Sequence, residues 1–296
     1  MRIVVTGGAG FIGHHLVAAL CQRGHEVTVL DNLRRGSFKC VELAAAQTIN
    51  GDVREATTCA RAFEGAQCVI HLAAQSNVMG SQTDPDYTFE TNVTGTWTVA
   101  AAAARAGVNH LIFASSREVY GQPASLPVAE DAQISPFNLY GASKAAGEAL
   151  LRTLPWSTLR VSILRLANVI GPGDHGRVVP LWLAAAGSGQ PLVVYGGSQV
   201  LDFVPVETTV EAFVRVAETG PLTEPVNIGS GIPVALTELA QRIIAITKSD
   251  SLIDIRPSRG PEITRYCADT SRMNTILGMS ASSDPVGTIA DWWNRP

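Results

Sequence analysis

Three glycines near the start of the chain separate a β-branched run from a helical pattern. Residues 2–6 (RIVVT) predict a buried strand, and Gly7, Gly10 and Gly13 follow directly in the run TGGAGFIG. Glycine adopts left-handed backbone angles at little cost and lets other atoms approach the main chain closely. A helix that begins after such a turn offers N–H groups and a positive dipole end to an anion. The pattern therefore predicts a strand–turn–helix unit that binds the pyrophosphate of a dinucleotide.

An acidic residue closes the second predicted strand, 26–31 (EVTVLD). Asp31 lies 18 residues after Gly13, about the distance at which dinucleotide folds place a carboxylate on the adenosine ribose. That carboxylate accepts hydrogen bonds from the ribose hydroxyls and repels a 2′-phosphate. We therefore expect NAD as the cofactor, with NADP as a lesser alternative because Arg34 and Arg35 follow closely.

Further apolar runs alternate with helical patterns along the chain. Strands are predicted at 68–72, 110–115 and 159–165, and helices at 86–106 and 138–154. Continuous apolar strands that alternate with helices indicate a parallel sheet covered on both faces. The predicted fold class is α/β, a Rossmann-type doubly wound parallel sheet with a smaller C-terminal lobe.

The composition changes near residue 171, where glycine and proline become frequent. Short strands are predicted at 192–195 and 225–228. We expect residues 1–170 to form the NAD-binding Rossmann domain. Residues 171–296 are expected to form a smaller substrate-binding lobe, with some segments returning to the main sheet.

Charge, hydropathy and cysteine spacing exclude several classes of protein. The net charge of −4 argues against nucleic-acid binding. No apolar run reaches the ~18 residues of a membrane span, and the first predicted strand leaves no room for a signal peptide. The 5 cysteines show no C-x-x-C spacing and the histidines no spacing to an acid cluster, so we expect no metal. We also expect no membrane association and a cytoplasmic location.

A tyrosine and a lysine open the helix predicted at 138–154. Tyr140 and Lys144 are four residues apart and therefore lie on one helix face. Free tyrosine has a pKa near 10, and a lysine ammonium one turn away stabilises the phenolate and lowers that pKa. Ser116, at the carboxyl end of the strand predicted at 110–115, offers a hydroxyl that can bond the reacting oxygen. We predict that Ser116, Tyr140 and Lys144 are the catalytic residues.

These and other motifs come in the order found in a known family. They are TGGAGFIG, Asp31-Asn32, Gly51-Asp52-Val53, His71-Leu72-Ala73-Ala74, Asn92-Val93 with Gly95-Thr96, SSREVYG at 115–121, YGASK at 140–144, Asn168-Val169-Ile170-Gly171-Pro172, Asp202-Phe203 and Val226-Asn227-Ile228-Gly229-Ser230-Gly231. As a set, they resemble the extended short-chain dehydrogenase/reductase family. The resemblance is to its NDP-sugar epimerase/dehydratase group, typified by UDP-galactose 4-epimerase, and it spans nearly the whole chain.

The resemblance implies a reaction and a set of site residues. The residues expected to bind NAD are Gly7, Gly10, Phe11, Ile12, Gly13, Asp31, Asn32, Asp52, Val53, Leu72, Ala73, Ala74, Asn92, Tyr140 and Lys144. In the implied 4-epimerase reaction, Tyr140 takes the proton of the sugar 4-hydroxyl while C4 gives its hydride to NAD. The 4-keto sugar then turns and receives the hydride on its other face. Ser116 and Asn168 are expected to bind the substrate. The expected substrate is a nucleotide sugar, and a UDP-sugar is the first candidate. A homodimer built from the helices near 86–106 and 138–154 is also implied.

The smaller lobe departs from the family pattern. The family often has a diphosphate-binding arginine where this chain has Leu201, and Pro205 and Thr208 replace a tyrosine or histidine and an acid. Loss of a cation that faces a diphosphate weakens binding unless another cation supplies the charge. Arg259 is the first candidate for that cation and Arg177 the second.

Arg117 and Glu118, directly after Ser116, form a second departure. The stretch resembles Thr-Asp-Glu in 4,6-dehydratases and Thr-Ser-Glu in uronic-acid decarboxylases. Glu118 matches the glutamate of both, whereas Arg117 replaces the dehydratase general acid. In one hypothesis, Glu118 is a structural group and Arg117 contacts an anionic group of the substrate, such as a uronate carboxylate. The alternative is that both side chains point away from the sugar.

Other functions on the same scaffold stay open. They are a 4,6-dehydratase, a uronic-acid decarboxylase, a 4-keto reductase and, more remotely, a non-catalytic NAD-binding regulatory protein. Asp31 counts against an NADPH-consuming reductase, and Arg117 counts against a dehydratase. The presence of Ser116, Tyr140 and Lys144 together counts against a non-catalytic protein.

Overall fold

The computed structural model describes residues 1–42, 46–156 and 158–293, without the side chains of Cys40 and Glu42. Its strands are β1 Arg2–Thr6, β2 Glu26–Asp31, β3 Gln47–Asn50, β4 Cys68–His71, β5 His110–Ser116, β6 Arg160–Leu166, β7 Asn168–Ile170, β8 Leu192–Tyr195, β9 Val200–Pro205, β10 Val226–Ile228, β11 Pro233–Ala235 and β12 Ile253–Arg256. Its helices are α1 Phe11–Gln22, α2 Lys39–Glu42, α3 Ala56–Ala62, α4 Val78–Thr83, α5 Pro85–Phe89, α6 Gly95–Arg105, α7 Leu139–Arg152, α8 Val178–Gly187, α9 Val206–Thr219, α10 Leu236–Thr247, α11 Ser271–Leu277 and α12 Ile289–Trp293. A π-helical segment, Glu90–Thr94, joins α5 to α6, and a 3₁₀ turn, Arg117–Tyr120, follows β5.

The chain forms two compact units, each assembled from three stretches of sequence. Unit 1 consists of Met1–Gly121, Gln133–Leu166 and Val210–Val226, and unit 2 consists of Gln122–Ala132, Ala167–Thr209 and Asn227–Pro296. Residues 294–296, which the sequence assigns to the smaller lobe, lie outside the described residues. The expected domain boundary at residue 170 stays a prediction.

A large sheet dominates the fold, with the strand order β10-β6-β5-β4-β1-β2-β3. The pairs β1–β2, β2–β3, β1–β4, β4–β5 and β5–β6 are all parallel. After β1 the chain adds β2 and β3 on one side of β1, and then β4, β5 and β6 on the other side. Open α/β sheets bind ligands at such a switch point, at the carboxyl ends of the strands. The predicted fold class, α/β with a Rossmann-type doubly wound sheet, is confirmed.

The strand positions follow from the apolar runs. The predictions at 2–6, 26–31 and 192–195 coincide with β1, β2 and β8. The others differ by one residue at one end or, for β6, at both ends. All residues of β5 are buried, as expected for a central strand with helices on both faces. Leu111 and Phe113 of this strand share one core with Val4, Val69 and Ile163. Each fully buried side chain of this kind contributes roughly 1.5–3 kcal/mol.

The helix predicted at 86–106 has a different form. It begins at Pro85, where Asp84 caps the first turn by accepting a hydrogen bond from Tyr87 N at 3.3 Å. The α-helical pattern is then replaced by a wider π turn at Glu90–Thr94 before α6 begins. Alanine-rich composition predicts an uninterrupted helix, whereas the structure has a π turn that carries Asn92.

Unit 2 contains a three-stranded sheet in the order β11-β9-β7 and a parallel pair, β12-β8. Its central strand, β9, carries the fully buried Asp202. One carboxylate oxygen accepts from Ser230 N at 2.8 Å and Ser230 Oγ at 2.7 Å, and the other accepts from Gly231 N at 2.9 Å and Ala268 N at 3.0 Å. Asp202 therefore fixes two loops of this unit, which explains its place in the sequence motif.

Candidate functional site

The glycine turn between β1 and α1 is shaped by close backbone contacts. Gly7 has φ +71°, and a Cβ built on it would lie 2.6 Å from the backbone nitrogen of Ala73. A Cβ on Gly13 would lie 2.3 Å from the carbonyl oxygen of Gly7. Helix α1 begins at Phe11 without an acidic residue in its first turn. The positive end of the helix dipole is therefore available to an anion at the turn.

Asp31 lies half-buried at the carboxyl end of β2. Its carboxylate accepts hydrogen bonds from Ala9 N at 3.0 Å and from Leu33 N at 2.8 Å. Burial raises the pKa of Asp31, and these two N–H groups oppose that rise. The contacts hold the carboxylate beside the glycine turn, where the sequence places the adenosine ribose.

Next to Asp31, a polar cluster surrounds the ring of Tyr87. Asn32 Nδ2 donates to Asp52 Oδ2 at 2.9 Å and to Tyr87 Oη at 3.2 Å. The guanidinium carbon of Arg34 lies 3.6 Å from the ring centroid of Tyr87, and that of Arg54 lies 5.0 Å away. The sequence reasoning missed Tyr87 and Arg54, since neither belongs to a dinucleotide motif.

Arg34 is engaged within this cluster. Its Nη2 lies 2.8 Å from a carboxylate oxygen of Asp84, and that contact raises the pKa of Arg34 above its ordinary value. The neighbouring Arg35 donates from Nη1 to Ser76 Oγ at 3.0 Å. Both arginines that kept NADP as an alternative therefore have partners within the protein.

Asn92 connects the loop after β4 to α7 from within the π-helical segment. Its amide exchanges hydrogen bonds with the backbone of Gln75, at 2.8 Å to N and 3.1 Å to O. Nδ2 also donates to Ser143 Oγ at 2.9 Å, and Ser143 Oγ donates to the carbonyl of Tyr140 at 2.7 Å. The half-buried residues 72–74, between the buried His71 and Gln75, are those predicted to line the cofactor cleft.

Val53, a predicted cofactor residue, is buried. It belongs to the apolar core of unit 1. A Cβ built on Gly95 would lie 3.1 Å from its side chain. An adenine contact for Val53 therefore stays a prediction.

Lys144 is buried between α7 and β5. Its Nζ donates to the carbonyl oxygen of Ala114 at 2.9 Å and lies 4.8 Å from the ring centroid of Phe113. Burial lowers the pKa of Lys144 to about 7, while the charge of Glu148 raises it. Tyr140 is half-buried one turn earlier on the same helix. The predicted pairing of tyrosine and lysine on one helix face is thus present.

A buried ionic network lies one turn beyond Lys144. Glu148 accepts hydrogen bonds from Ser115 Oγ at 2.5 Å and from Arg165, at 2.9 Å from Nε and 2.7 Å from Nη2. Arg165, which is 1% exposed, also donates to Tyr120 Oη at 2.8 Å. The network joins α7 to β5, β6 and the 3₁₀ turn. Sequence reasoning missed it; the available signal was a charged residue inside the apolar strand predicted at 159–165.

His71 is a structural group of this region. Its Nδ1 lies 2.7 Å from Thr6 Oγ1 and its Nε2 lies 3.1 Å from Thr96 Oγ1. Burial, followed by the charge of Lys144, lowers the pKa of His71 to about 3. The imidazole is therefore neutral at physiological pH and connects β1, β4 and α6.

Ser116, Arg117 and Glu118 lie at the end of β5 and in the 3₁₀ turn. Ser116 Oγ accepts from Glu118 N at 3.2 Å and caps that turn. Arg117 Nη2 lies 2.8 Å from Glu118 Oε1, and Asn138 Nδ2 donates to Glu118 Oε2 at 2.7 Å. Glu118 is therefore tied to Asn138, the residue that caps α7.

The predicted substrate residues of unit 2 each have a local partner. Asn168 Nδ2 donates to the carbonyl oxygen of Asp202 at 2.7 Å. Arg177 Nε lies 3.7 Å from Asp174 Oδ1. The guanidinium carbon of Arg259 lies 4.2 Å from the ring centroid of Tyr195, with its side chain 49% exposed. Leu201, in the place of the family arginine, is buried on β9.

The described residues offer neither a metal cluster nor a membrane span. Among the described side chains, which exclude those of Cys40 and Glu42, no three His, Cys, Asp or Glu residues are grouped so as to hold a metal ion. In the described part of the chain, no helix has the length and apolar character needed to cross a membrane.

Comparison with known proteins gives consistent matches over most of the chain. A model of the NAD dependent epimerase/dehydratase family matches residues 3–229. The UDP-glucose 4-epimerase of Mycolicibacterium smegmatis is 34% identical over 292 residues, which cover 94% of this chain and 93% of that protein.

Solved structures agree with this match. The UDP-glucose 4-epimerase of Thermotoga maritima, solved with UDP-glucose, gives a TM-score of 0.93 at 28% identity, covering 99% of this chain and 98% of that one. A dTDP-glucose 4,6-dehydratase of Streptomyces venezuelae, solved with NAD, gives 0.92 at 30% identity, covering 99% and 97%. The resemblance inferred from the motifs is confirmed: the chain belongs to the NAD dependent epimerase/dehydratase family.

Proposed function

We propose that the chain is an NAD-dependent 4-epimerase of nucleotide sugars. The observation that carries this proposal is the placement of Tyr140 and the buried Lys144 on one face of α7, packed against β5. They belong to the same unit as the glycine turn and Asp31. The Mycolicibacterium smegmatis relative, which is 34% identical, is a UDP-glucose 4-epimerase. It supports 4-epimerase activity over the dehydratase, decarboxylase and reductase activities.

The residues of unit 1 fit NAD. Gly7 and Gly13 allow the tight turn at the start of α1, and the Asp31 carboxylate is held beside that turn by two N–H groups. Leu72, Ala73, Ala74 and Asn92 would hold the rest of the cofactor. When bound, NAD supplies the acceptor for the hydrogen on sugar C4 and returns that hydrogen to the opposite face.

The protein's own groups handle the proton. Tyr140 Oη takes the proton of the sugar 4-hydroxyl and later gives it back. The Lys144 ammonium stabilises the phenolate, since an opposite charge within one helical turn lowers the pKa of tyrosine. Ser116, at the end of β5, shares the proton of the reacting oxygen. No other base is needed for a reaction in which substrate and product differ only in configuration at C4.

The substrate is proposed to be a UDP-sugar. The solved Thermotoga maritima relative contains UDP-glucose. Arg259 and Arg177 are proposed to provide the charge that Leu201 lacks, and Asn168 to bond the diphosphate. The half-exposed Arg259 lies over the ring of Tyr195, and its Nε lies 3.8 Å from Glu262 Oε1. A guanidinium has several N–H groups that can bind phosphate oxygens.

A dehydratase is the second candidate because one structural neighbour is a 4,6-dehydratase. In dehydration the glutamate of this stretch must take a proton from the sugar. Here both carboxylate oxygens of Glu118 are engaged, one by Arg117 and the other by Asn138. This arrangement favours the epimerase.

We also propose a homodimer formed through the helices near 86–106 and 138–154, in the cytoplasm. Phe89 is 59% exposed and Trp97 is 41% exposed, both in the first of these segments. Exposed large apolar side chains are a feature of association sites when they form one patch. Sedimentation of the purified protein at a series of concentrations tests the dimer, and a constant monomer mass would contradict it.

The function is tested by incubating the protein and NAD with UDP-, dTDP-, GDP- and CDP-sugars and identifying products by mass spectrometry and NMR. We expect a product of unchanged mass with inverted C4, and loss of activity by orders of magnitude in Tyr140→Phe while NAD affinity is retained. Products that have lost water or CO₂ would assign the dehydratase or decarboxylase function instead. Unchanged turnover in Tyr140→Phe would refute the mechanism.

A further inference from the structure

The helix that carries Tyr140 is capped by a residue whose own side chain is fixed. Asn138 Oδ1 accepts a hydrogen bond from Gly141 N at 2.8 Å, as an N-cap does. Asn138 Nδ2 donates to Glu118 Oε2 at 2.7 Å. Rotation of the amide by half a turn would exchange these two atoms and break both bonds. Glu118 therefore determines which end of the amide faces the helix.

Glu118 is in turn held by a charge. Its other carboxylate oxygen lies 2.8 Å from Arg117 Nη2. Arg117, Glu118 and Asn138 are 8%, 5% and 7% exposed. Burial of a charge is costly unless it is paired and hydrogen-bonded. A serine or threonine caps a helix about as well without a buried charge beside it, so capping alone does not account for this arrangement.

A backbone contact reinforces the side-chain contacts. A Cβ built on Gly141 would lie 2.4 Å from the carbonyl oxygen of Glu118. The 3₁₀ turn and the first turn of α7 are therefore in direct contact at the residue that follows Tyr140.

Tyr140 lies in the part of α7 whose geometry depends on the contact with the 3₁₀ turn. It is the second residue of α7, in the first turn, where N–H groups have no partner within the helix and the geometry depends on the cap. Lys144 is held separately, by the carbonyl oxygen of Ala114. The distance between the tyrosine and the lysine therefore depends on the cap even though they share a helix.

We propose that Arg117, Glu118 and Asn138 form a positioning clamp that places Tyr140 against Lys144 and the reacting sugar oxygen. Glu118 and Asn138 are positioning residues that act through Tyr140, and Arg117 provides the charge that balances Glu118. The inference rests on the proposed function. It assigns Arg117 and Glu118 a role in the epimerase that the dehydratase pattern does not give them.

A reciprocal exchange of the two side chains tests the clamp. In Asn138→Asp, residue 138 still caps the helix, but two carboxylates face each other where Nδ2 now donates. In Glu118→Gln combined with Asn138→Asp, the amide lies at 118 and the carboxylate at 138, so donor and acceptor are reversed and the total charge of the clamp is unchanged. Asn138→Ser keeps a cap and removes the bond to Glu118.

We expect kcat to fall by about 10²-fold in Asn138→Asp, as for a reacting group misplaced by about 1 Å. KM is expected to change little, because binding of the nucleotide does not involve the clamp. Asn138→Ser should lower kcat although serine is an equivalent cap. Its melting temperature should also fall, because the buried Glu118 oxygen loses its donor. The reciprocal double variant should recover most of the lost kcat.

A second measurement does not depend on turnover. The phenolate of Tyr140 is titrated by ultraviolet absorbance in the NAD-loaded protein and in each variant, with the matching Tyr140→Phe protein as the reference. We expect the pKa of Tyr140 to rise in Asn138→Asp and Asn138→Ser and to return in the double variant. Variants with a lower melting temperature but unchanged kcat and titration would overturn the clamp. If the unaltered protein converts no nucleotide sugar, the proposed function fails, whereas the titration still decides the clamp.

Discussion

At the scale of single residues, the site depends on how the protein compensates the burial of Lys144. Desolvation lowers the pKa of this lysine to about 7, and the nearby Glu148 opposes that change. Glu148 is itself bound to the buried Arg165 and to Ser115. A lysine that must supply positive charge at neutral pH is therefore supported by an anion one turn along its helix.

Replacing Glu148 by Gln should lower the pKa of Lys144 further. The ammonium would then be lost at a lower pH, so the alkaline limb of the rate profile should move to lower pH. Arg165 would be left without its buried carboxylate, which costs about 3–5 kcal/mol of unfolding free energy. Rates measured across pH and urea unfolding check both effects.

Arg152→Ala is the matched control, because it removes a half-exposed partner of the same carboxylate, 3.3 Å away. It should cost less than about 1 kcal/mol and leave the pH profile in place. An equal shift of the profile in both variants would contradict the role given to Glu148.

At the scale of elements, the sequence predicts best those features that depend on neighbours along the chain. The strand–turn–helix unit, β2 with Asp31, and Tyr140 with Lys144 are each contained in one short segment. The ionic network is different, because Ser115 and Glu148 are 33 residues apart. The π turn at Glu90–Thr94 carries Asn92, which bonds Gln75 and Ser143 from distant segments. No local pattern reports such contacts, since they exist only after the sheet has formed.

The glycine turn allows a test at this scale. In Gly13→Ala the added Cβ would lie 2.3 Å from Gly7 O, so the turn must open and the start of α1 must move. We expect NAD affinity, measured by calorimetry, to fall at least tenfold.

Gly24→Ala, just beyond the other end of α1, serves as the control. It has φ +79° and no neighbour within 4 Å of a built Cβ, so it introduces backbone strain without a clash. It should cost about 1 kcal/mol of stability and leave NAD affinity unchanged. Normal affinity in Gly13→Ala would refute the role of the turn.

At the scale of the whole molecule, buried titrating groups make stability depend on pH. The pKa of His71 is lowered to about 3 in the folded protein, against about 6.5 for an exposed histidine. Between these two pH values, His71 therefore binds a proton in the unfolded chain but not in the folded protein. The contribution of His71 to stability is complete above pH 6.5 and declines as the pH falls towards 3.

His71→Gln tests this dependence, because an amide can bond Thr6 and Thr96 without titrating. Between pH 6 and 4, the unfolding free energy of the unaltered protein should fall more steeply, by about 1.4 kcal/mol per pH unit, than that of the variant. Urea unfolding at several pH values provides the comparison. Parallel curves would show that His71 takes up no proton on unfolding.

Because unit 1 is assembled from three separate stretches of sequence, it cannot close early in the synthesis of the chain. Arg23, near the end of α1, pairs with Glu211 at 2.5 Å and Glu218 at 3.0 Å, and Leu222 N donates to Ser162 Oγ at 2.8 Å. These partners belong to the last stretch of unit 1, Val210–Val226. A nascent chain that has emerged only to the end of β6 already contains the glycine turn, Tyr140 and Lys144 but not this stretch. Unit 1 must therefore wait, while the second stretch of unit 2, Ala167–Thr209, is being made, before it can close.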